Sequence, residues 1–581
     1  MQSLPPTLAQ PFLALIGPAA DPASILQSTR DAQFGDYQSN AALSQAKAAR
    51  KSPRDLANSW LPQLQEGLKG VATVDIAGPG FLNLKLDNAW IAGQLANFDP
   101  EHWVHDQPHQ RVVVDYSSPN VAKNMHVGHI RSTIIGDSIA RLLTFRGHFV
   151  IRQNHLGDWG TQFGMLCAYM LENPSEMIGI SDLYRKAYAS FTTDPAFAER
   201  ARNTVVKLHG GDPETRKVWE RVLDRSRDHF EPLYRRLGVL LTPDDERGES
   251  FYNDQLDATV GELEQRFGQR KNGLEVKVSD GALCAFLYDD KGEPMFLNAD
   301  KEALPFLIRK SDGAYLYATT DLAACRFRVE QLKADRIIVL TDARQILHFK
   351  MLIATSERAG WLSPEGRPHV GFEHVTFGTI LGPDRKPFKT RDGENVPLND
   401  LLEEGHLRCR TLVESNERGF SAEEVEEIAE TISLDSIKYA DLSQHRSTDY
   451  VFQWDRMLAL EGNTAPYLLY AYARIQSIAR KGGEAAAATA IALEHADERA
   501  LALALLRFPE ALEQVEQEWR LNLLTEYLYD LSGLFSRFYE NCPVLKSEGA
   551  MKASRLRLCA LTAATIRTGL NLLGIQVVEK M

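Results

Sequence analysis

The sequence predicts a multidomain α/β protein. A doubly wound sheet carrying an insertion is preceded by an α+β domain and followed by an all-helical one. Three observations lead there. A chain of 581 residues needs several domains, because one domain usually takes ~100–200 residues. An apolar strand, a loop, a helix and a second strand succeed one another between 112 and 151, and the same alternation resumes at 336. From about Leu401 onward the pattern is mostly helical.

In the first hundred residues the Ala-rich stretch Ala41–Arg50 reads as a helix, and Val71–Leu86 as two strands parted by Gly78-Pro79-Gly80. The polar segment His102–Gln110 reads as a linker. Val112-Val113-Val114 is a strong strand signal. After a Ser/Pro/Asn loop a helix is expected from about Gly128 to Phe145, with Ile130, Ile134, Ile135, Ile139, Leu142 and Leu143 on one face. A second strand, Phe149-Val150-Ile151, runs into Asn154–Asp158. This order opens a Rossmann-type sheet. A charged helical region, about 171–267, precedes short strands at Leu274–Val278, Leu283–Tyr288, Phe306–Ile308 and Ala314–Ala318, and reads as an insertion between the halves of that sheet. Arg336–Leu340 suits a parallel strand covered on both faces, and Gln345–Ala359 a helix. The expected domains are 1–108, then 109–400 with an insertion at about 171–305, a helical connecting region 401–460, and a helical domain 461–581.

A net charge of −13 argues against a general coat of positive charge for nucleic acid, without excluding a local basic face, and no DNA partner is expected. The stretch Asn541–Met581 is such a locality, with six Lys/Arg against two Glu. Six cysteines without a C-x-x-C pair suggest neither a disulfide framework nor a zinc ribbon. No window reaches the ~18–20 apolar residues of a membrane span, and Met1–Pro6 shows no targeting signal. A soluble, cytoplasmic protein is expected.

The sharpest local signal is Asn120-Val121-Ala122-Lys123-Asn124-Met125-His126-Val127-Gly128-His129, between the first strand and the first helix. Strand ends and a helix N-terminus offer unpaired N–H donors there, and Gly128 permits close approach of a ligand. Two imidazoles and a lysine suit the oxygens of a triphosphate, stabilising charge without moving a proton. The histidines also read as ordinary polar residues at a helix start. A metal pair is disfavoured, because no third Cys or acidic ligand falls at helical spacing, and no structural metal is expected.

The block Ser117-Ser118-Pro119-Asn120 through Arg131-Ser132-Thr133 resembles the signature of class I aminoacyl-tRNA synthetases, specifically the arginyl-tRNA synthetases. So do Asn154–Gly160 and Tyr317–Ala323. Phe34–Gln38 and Ala77–Asn83 resemble that family's N-terminal domain, and Asn463–Arg474 its anticodon-binding domain. The resemblance spans essentially the whole chain. It implies that Pro119 through His129 form the first signature, with Lys123, His126, Gly128 and His129 at ATP. The second signature loop corresponds to Lys386–Gly393, where Thr390 stands in place of a lysine. Lys389 and Arg391 are its remaining candidates for the phosphates, and Lys123 supplies the missing charge. Tyr317, Asp321 and Gln345 match positions lining the arginine pocket; Asp115 and Asn120 match positions close to the substrate. Read alone, Asp321 also suits a helix N-cap.

The resemblance further implies activation of arginine by Mg2+-ATP to arginyl-adenylate, then transfer to the 3′ end of an arginine tRNA by a monomer. The N-terminal domain would meet the tRNA elbow. Trp454, Tyr470 and Arg474 are candidates for the anticodon loop, where splayed bases are read by aromatics and arginines. The neighbouring tyrosines suit a bundle core equally well. The rivals are a cytidylyltransferase-like enzyme, against which the length and the helical C-terminal domain speak, and a non-catalytic RNA-binding relative, for which a damaged signature would be expected.

Overall fold

The computed structural model describes all residues except 1–2, 18–20, 30, 104–108, 177, 389–395, 416–418, 484–488 and 580–581. The chain divides into two compact units, 106–459 with 572–575, and 1–105 with 460–571 and 576–581.

The first of these is built on four parallel strands: β1 (Arg111–Asp115), β2 (Phe149–Gln153), β3 (Arg336–Asp342) and β4 (Gly371–Phe377), in the order β4-β3-β1-β2. Val112, Val113 and Val114 are fully buried, as expected of a strand covered on both faces. After β1 the chain crosses to β2 on one side; β3 then pairs with β1 on the other. The two connections diverge at the carboxyl ends of β1 and β3, where such sheets open a ligand crevice.

Helix α1 (Val127–Phe145) joins β1 to β2. The sequence suggests one apolar face, but the helix is buried nearly all round, Ser132, Thr133, Asp137 and Ser138 included. Gly136 explains the close seating on the sheet side: a Cβ there would come within 2.2 Å of Tyr116 Cβ. On its other side Arg131, 1% exposed, pairs with Asp441, also 1% exposed, at 2.9 Å, and donates to Thr448 O at 3.0 Å. Asp441 belongs to the helix Ala422–Leu442.

The insertion begins with the helices Thr161–Glu172, Ile180–Thr193, Pro195–His209 and Pro213–Leu237, followed by Leu256–Phe267. The antiparallel strands Leu274–Ser279, Ala282–Leu287 and Phe306–Arg309 come next. Their apolar side chains share one core with the main sheet, Leu283, Ala285, Phe306 and Ile308 clustering with Val113, Ile337 and Val339. Two elements differ from expectation. Ala314–Ala318 is not a strand: after a single bridge between Arg309 and Tyr315, helix α2 (Tyr317–Glu330) begins, and Thr319 Oγ1 caps it by accepting from Leu316 N. Strand β4 escapes the sequence pattern because Gly371, Glu373, His374 and Thr376 break its apolar run; it lies at the sheet edge. Helix α3 (Ile346–Arg358) lies between β3 and β4, after a short turn at Ala343–Gln345.

The other unit joins the two ends of the chain. An antiparallel sheet, Gln27–Ser28, Tyr37–Ser39, Phe81–Leu86 and Ala72–Ala77 in that order, is accompanied by helices that include Ala465–Gly482, Ala496–Leu506, Phe508–Glu518 and Asn522–Asn541. Asp36 accepts both Arg499 Nη1 (2.9 Å) and Nη2 (2.6 Å), the fork geometry that makes such pairs strong. Tyr37 OH donates to Glu510, whose carboxyl burial pushes up to about 7. The Phe34–Gln38 stretch is therefore a joint between segments more than 460 residues apart. All six cysteines are buried and unpaired. Among the described residues no helix is long and apolar enough to cross a membrane.

The Arg131–Asp441 pair yields a stability prediction. Removing one member of a buried pair strands the other and costs roughly 3–5 kcal/mol. Asp441→Ala should therefore lower the urea midpoint of the full chain clearly, and a wild-type midpoint would show the pair to be dispensable.

Candidate active site

Immediately after β1 the backbone is strained: Ser117 and Ser118 have φ of 68° and 46°. Such residues cost of order 1–3 kcal/mol each and persist where surroundings over-determine them. Ser117 N donates to Ser132 Oγ (3.0 Å), and its hydroxyl meets Thr133 Oγ1 (2.8 Å) and Tyr234 OH (2.7 Å). Ser118 N donates to Asn154 Oδ1 (3.0 Å) and its hydroxyl to Asp115 Oδ1 (3.0 Å). The loop thus ties β1, α1 and the end of β2 into one frame.

At the end of that loop stand the two histidines. His126 is the N-cap of α1 and His129 its third residue. Gly128 N donates to His126 Nδ1, and His126 N to His129 Nδ1, each at 3.1 Å. With Nδ1 accepting in both rings, the neutral imidazoles carry their proton on Nε2. Burial keeps them neutral: it pushes His129 down to about 3, with His126 adding to the effect, and lowers His126 together with Lys123. The rings lie 4.0 Å apart at a 37° tilt. Two neutral N–H donors at a helix N-terminus suit an anion.

Lys123 is exposed, its Nζ 4.5 Å above the ring of Tyr184 in the insertion. Lys389 and Arg391 lie outside the described residues, but both flanks of their loop are held. Phe388 N donates to Ile380 O (3.1 Å), and Ile380–Leu381 pairs with Tyr450–Val451. On the far side Val127 N donates to Val396 O, and Leu398 N to Met125 O, each at 3.0 Å. The segment Val396–Leu398 beyond that loop is thereby stitched to Met125–Val127 at the start of α1.

A second cluster collects acidic groups. Asp115, at the end of β1, is buried and paired with Arg328 of α2, which also donates to Gln153 Oε1 at 2.7 Å. The His155 backbone N donates to Asp115 Oδ1 at 3.3 Å. The sequence places Asp115 near substrate; here its carboxylate already holds a guanidinium. Tyr317, 61% exposed, and Asp321 stand one turn apart on α2. Asp321 Oδ2 lies 2.6 Å from His348 Nε2, and Oδ1 3.9 Å from His155 Nε2. Glu249 is pushed up to about 7 by burial, aided by Asp158 and Asp321 and opposed by His155. Asn120 is exposed, its Oδ1 accepting from Ala122 N at 3.2 Å, and Gln345 is exposed beyond β3.

Donors for an anion and carboxylates for a cation thus gather at the carboxyl ends of the central strands β1 and β3. Residues 90–454 match the family model for the catalytic domain of class I tRNA synthetases of the arginine type. Residues 7–86 match the arginyl-tRNA synthetase N-terminal domain, and 468–581 the DALR anticodon-binding domain. The chain is 48% identical over 570 residues to the arginine–tRNA ligase of Ectopseudomonas mendocina, covering 96% of this chain and 95% of that one. With the enzyme of Hahella chejuensis identity is 46%, at 97% and 96% coverage. The chain belongs to the arginyl-tRNA synthetases. The solved arginyl-tRNA synthetase of Plasmodium falciparum superposes with a TM-score of 0.83 at 29% identity, over 100% of both chains. The Thermus thermophilus arginyl-tRNA synthetase shares the fold, with a TM-score of 0.81 at 24% identity and 99% coverage of each.

Within this arginyl-tRNA synthetase chain the three tRNA candidates separate. Tyr470 (43% exposed) and Arg474 lie one turn apart on an open face of Ala465–Gly482, Arg474 stacking over Tyr539 at 4.8 Å. Tyr472 is buried in the same bundle. Trp454 lies in the other compact unit, edge-on to Phe452 at 4.9 Å and with Arg408 over its ring at 5.7 Å. Nothing local in the sequence singles out Arg328 or Glu249, and His155 and Ser117 stand there only within longer motifs. His348 stands three residues beyond Gln345, the one local pointer to it.

One substitution separates capping from donation. Asparagine can reproduce the Nδ1 acceptor but not the Nε2 donor, so His129→Asn should keep the unfolding midpoint. It should slow adenylate formation by roughly 10²–10³, as loss of one preorganised donor does. Normal turnover in this variant would remove His129 from the chemistry. The depressed His129 pKa also has a stability consequence. The unfolded chain takes up this proton near pH ~6.5 and the folded chain only near 3, so stability falls as pH drops through that window. His129→Asn should flatten the fall, measured as urea midpoint against pH.

Proposed function

We propose that this chain ligates arginine to its tRNA by holding ATP on His126 and His129 and the guanidinium of arginine on Asp321. In the first step an oxygen of the arginine carboxylate attacks the α-phosphorus of Mg2+-ATP; the bond to the bridging oxygen breaks and pyrophosphate leaves. In the second, the 2′-hydroxyl of the tRNA's terminal ribose attacks the carbonyl of arginyl-adenylate, and AMP leaves.

The observation that carries the reading is the occupation of both Nδ1 atoms by backbone N–H groups. It leaves two neutral Nε2–H donors whose role is charge stabilisation rather than proton transfer. Lys123 adds a positive charge from the loop, compensating Thr390, with Lys389 and Arg391 as the second signature's own contributors. Gly128 keeps the approach open: a side chain there would collide with the His126 ring, whose Cε1 lies 2.8 Å from the Cβ position.

Arginine selection rests on Asp321, with Tyr317, Gln345 and Asn120 around the exposed part of the pocket. Asp115 acts from beneath, through Ser118 and the His155 backbone. Mg2+ enters with ATP as part of the substrate. The segments 1–108 and 461–581 contact tRNA at the elbow and the anticodon loop, with Tyr470 and Arg474 on the reading face. Trp454, packed against Phe452 and Arg408, is the least suited of the three candidates. The enzyme works as a cytoplasmic monomer.

Asp321→Asn should weaken arginine use by about 10²-fold or more, since truncating one partner of a buried charge pair costs roughly 3–5 kcal/mol. The KM for ATP should stay near wild type. A normal arginine KM would exclude this pocket. Arginine activation should further depend on tRNA, because the second signature is one lysine short and the competent state is correspondingly rarer in the free enzyme. A tRNA that prefers that state shifts the population toward it; moving 1:99 to 99:1 takes about 5.5 kcal/mol. Arginine-dependent ATP–pyrophosphate exchange is the measurement, with and without tRNA. Full exchange in RNA-free enzyme would refute the dependence and leave the ligase activity untouched.

A further inference from the structure

His348 occupies the first turn of α3 and touches both residues that face the arginine pocket from α2. Its Nε2 lies 2.6 Å from Asp321 Oδ2, and its ring centre 4.8 Å from that of Tyr317. The ring is itself held: Phe306 lies at 5.6 Å, Phe349 stands edge-on at 5.1 Å, and only 10% of the side chain is exposed. Asp321 Oδ1 lies 3.9 Å from His155 Nε2, beyond hydrogen-bond distance. The carboxylate torsion of aspartate is intrinsically broad, so a rigid donor at Oδ2 fixes the carboxylate plane.

We infer that His348 is a positioning residue that sets the plane of the Asp321 carboxylate and thereby the preference for a planar guanidinium over a tetrahedral ammonium. A guanidinium fork pairs best with a coplanar carboxylate, whereas an ammonium is a point charge that accepts any orientation. Each carboxylate oxygen has two lone pairs, so Oδ2 can hold His348 and still face the substrate. The inference rests on Asp321 being the guanidinium partner.

The test is steady-state tRNA charging by the full-length enzyme, with arginine, ATP and inhibitory lysine titrated separately. His348→Gln keeps a donor near the Nε2 position without the ring; His348→Phe keeps a ring without the donor. His348→Met is a second donor-free variant should the phenylalanine prove insoluble. Losing the donor should raise the arginine KM about tenfold, the equivalent of one charge-assisted hydrogen bond. The KM for ATP should stay within about twofold, and the ratio of lysine Ki to arginine KM should fall about as much as the arginine KM rises. His348→Gln should recover most of the arginine KM and of that ratio. Wild-type arginine kinetics in the donor-free variants would overturn the inference. So would a glutamine variant impaired as much as phenylalanine, or equal losses for arginine and ATP, since either marks a packing role. Asp321→Asn run in parallel separates the two levels: if it spares arginine, the pocket assignment fails as well, and if it alone impairs arginine, only the role of His348 fails.

Discussion

The N-terminus of α1 needs acceptors for its first backbone N–H groups, and this requirement organises the rest of the site. A helix start leaves several donors unpaired; here two of them are taken by imidazole nitrogens. The helix dipole disfavours a cation at that end, and burial works in the same direction, so both rings are neutral. Capping and tautomer are therefore one structural fact: the nitrogen used for the cap dictates that the other carries the proton.

The same helix anchors both flanks of the second signature loop. On one side Val396–Leu398 hydrogen-bonds to Met125–Val127. On the other, Arg131 holds Asp441 and Thr448 and lies 5.3 Å from the ring of Tyr450, whose backbone pairs with Ile380. Because Arg131 follows His129 by less than one turn, a displacement of α1 would move the imidazoles and both loop flanks together. A buried ion pair is weak evidence for stability, but it suits a place where register matters more than free energy.

Around Asp321 the protein lowers its own negative charge. Asp115 is neutralised by Arg328, a guanidinium built into the chain. Glu249 is raised toward neutrality by burial and by the neighbouring carboxylates. That leaves Asp321, oriented by His348, as the carboxylate with an open side. A pocket of fully ionised, unpaired acids would carry a far larger desolvation cost.

The sequence by itself determined the alternation of elements, because apolar periodicity and turn residues are local properties. Arg111–Asp115, Phe149–Gln153 and Val127–Phe145 fall within one or two residues of their expected places. It also determined the family, since a long ordered run such as Pro119–His129 carries its own context. Where the pattern was short or mixed it misled: the short apolar run Ala314–Ala318 reads as a strand yet leads into α2, and β4 is too polar to stand out. What only the tertiary structure decided were partners distant in sequence. His348 reaches Asp321 across 27 residues, Arg328 reaches Asp115 across 213, and Arg499 reaches Asp36 across 463. No local rule encodes such pairs, because each exists only after strands and helices have been brought together by burial of apolar surface. The second imidazole nitrogen belongs with them: a sequence names a histidine, but only the folded backbone says which of its two nitrogens is left to carry the proton.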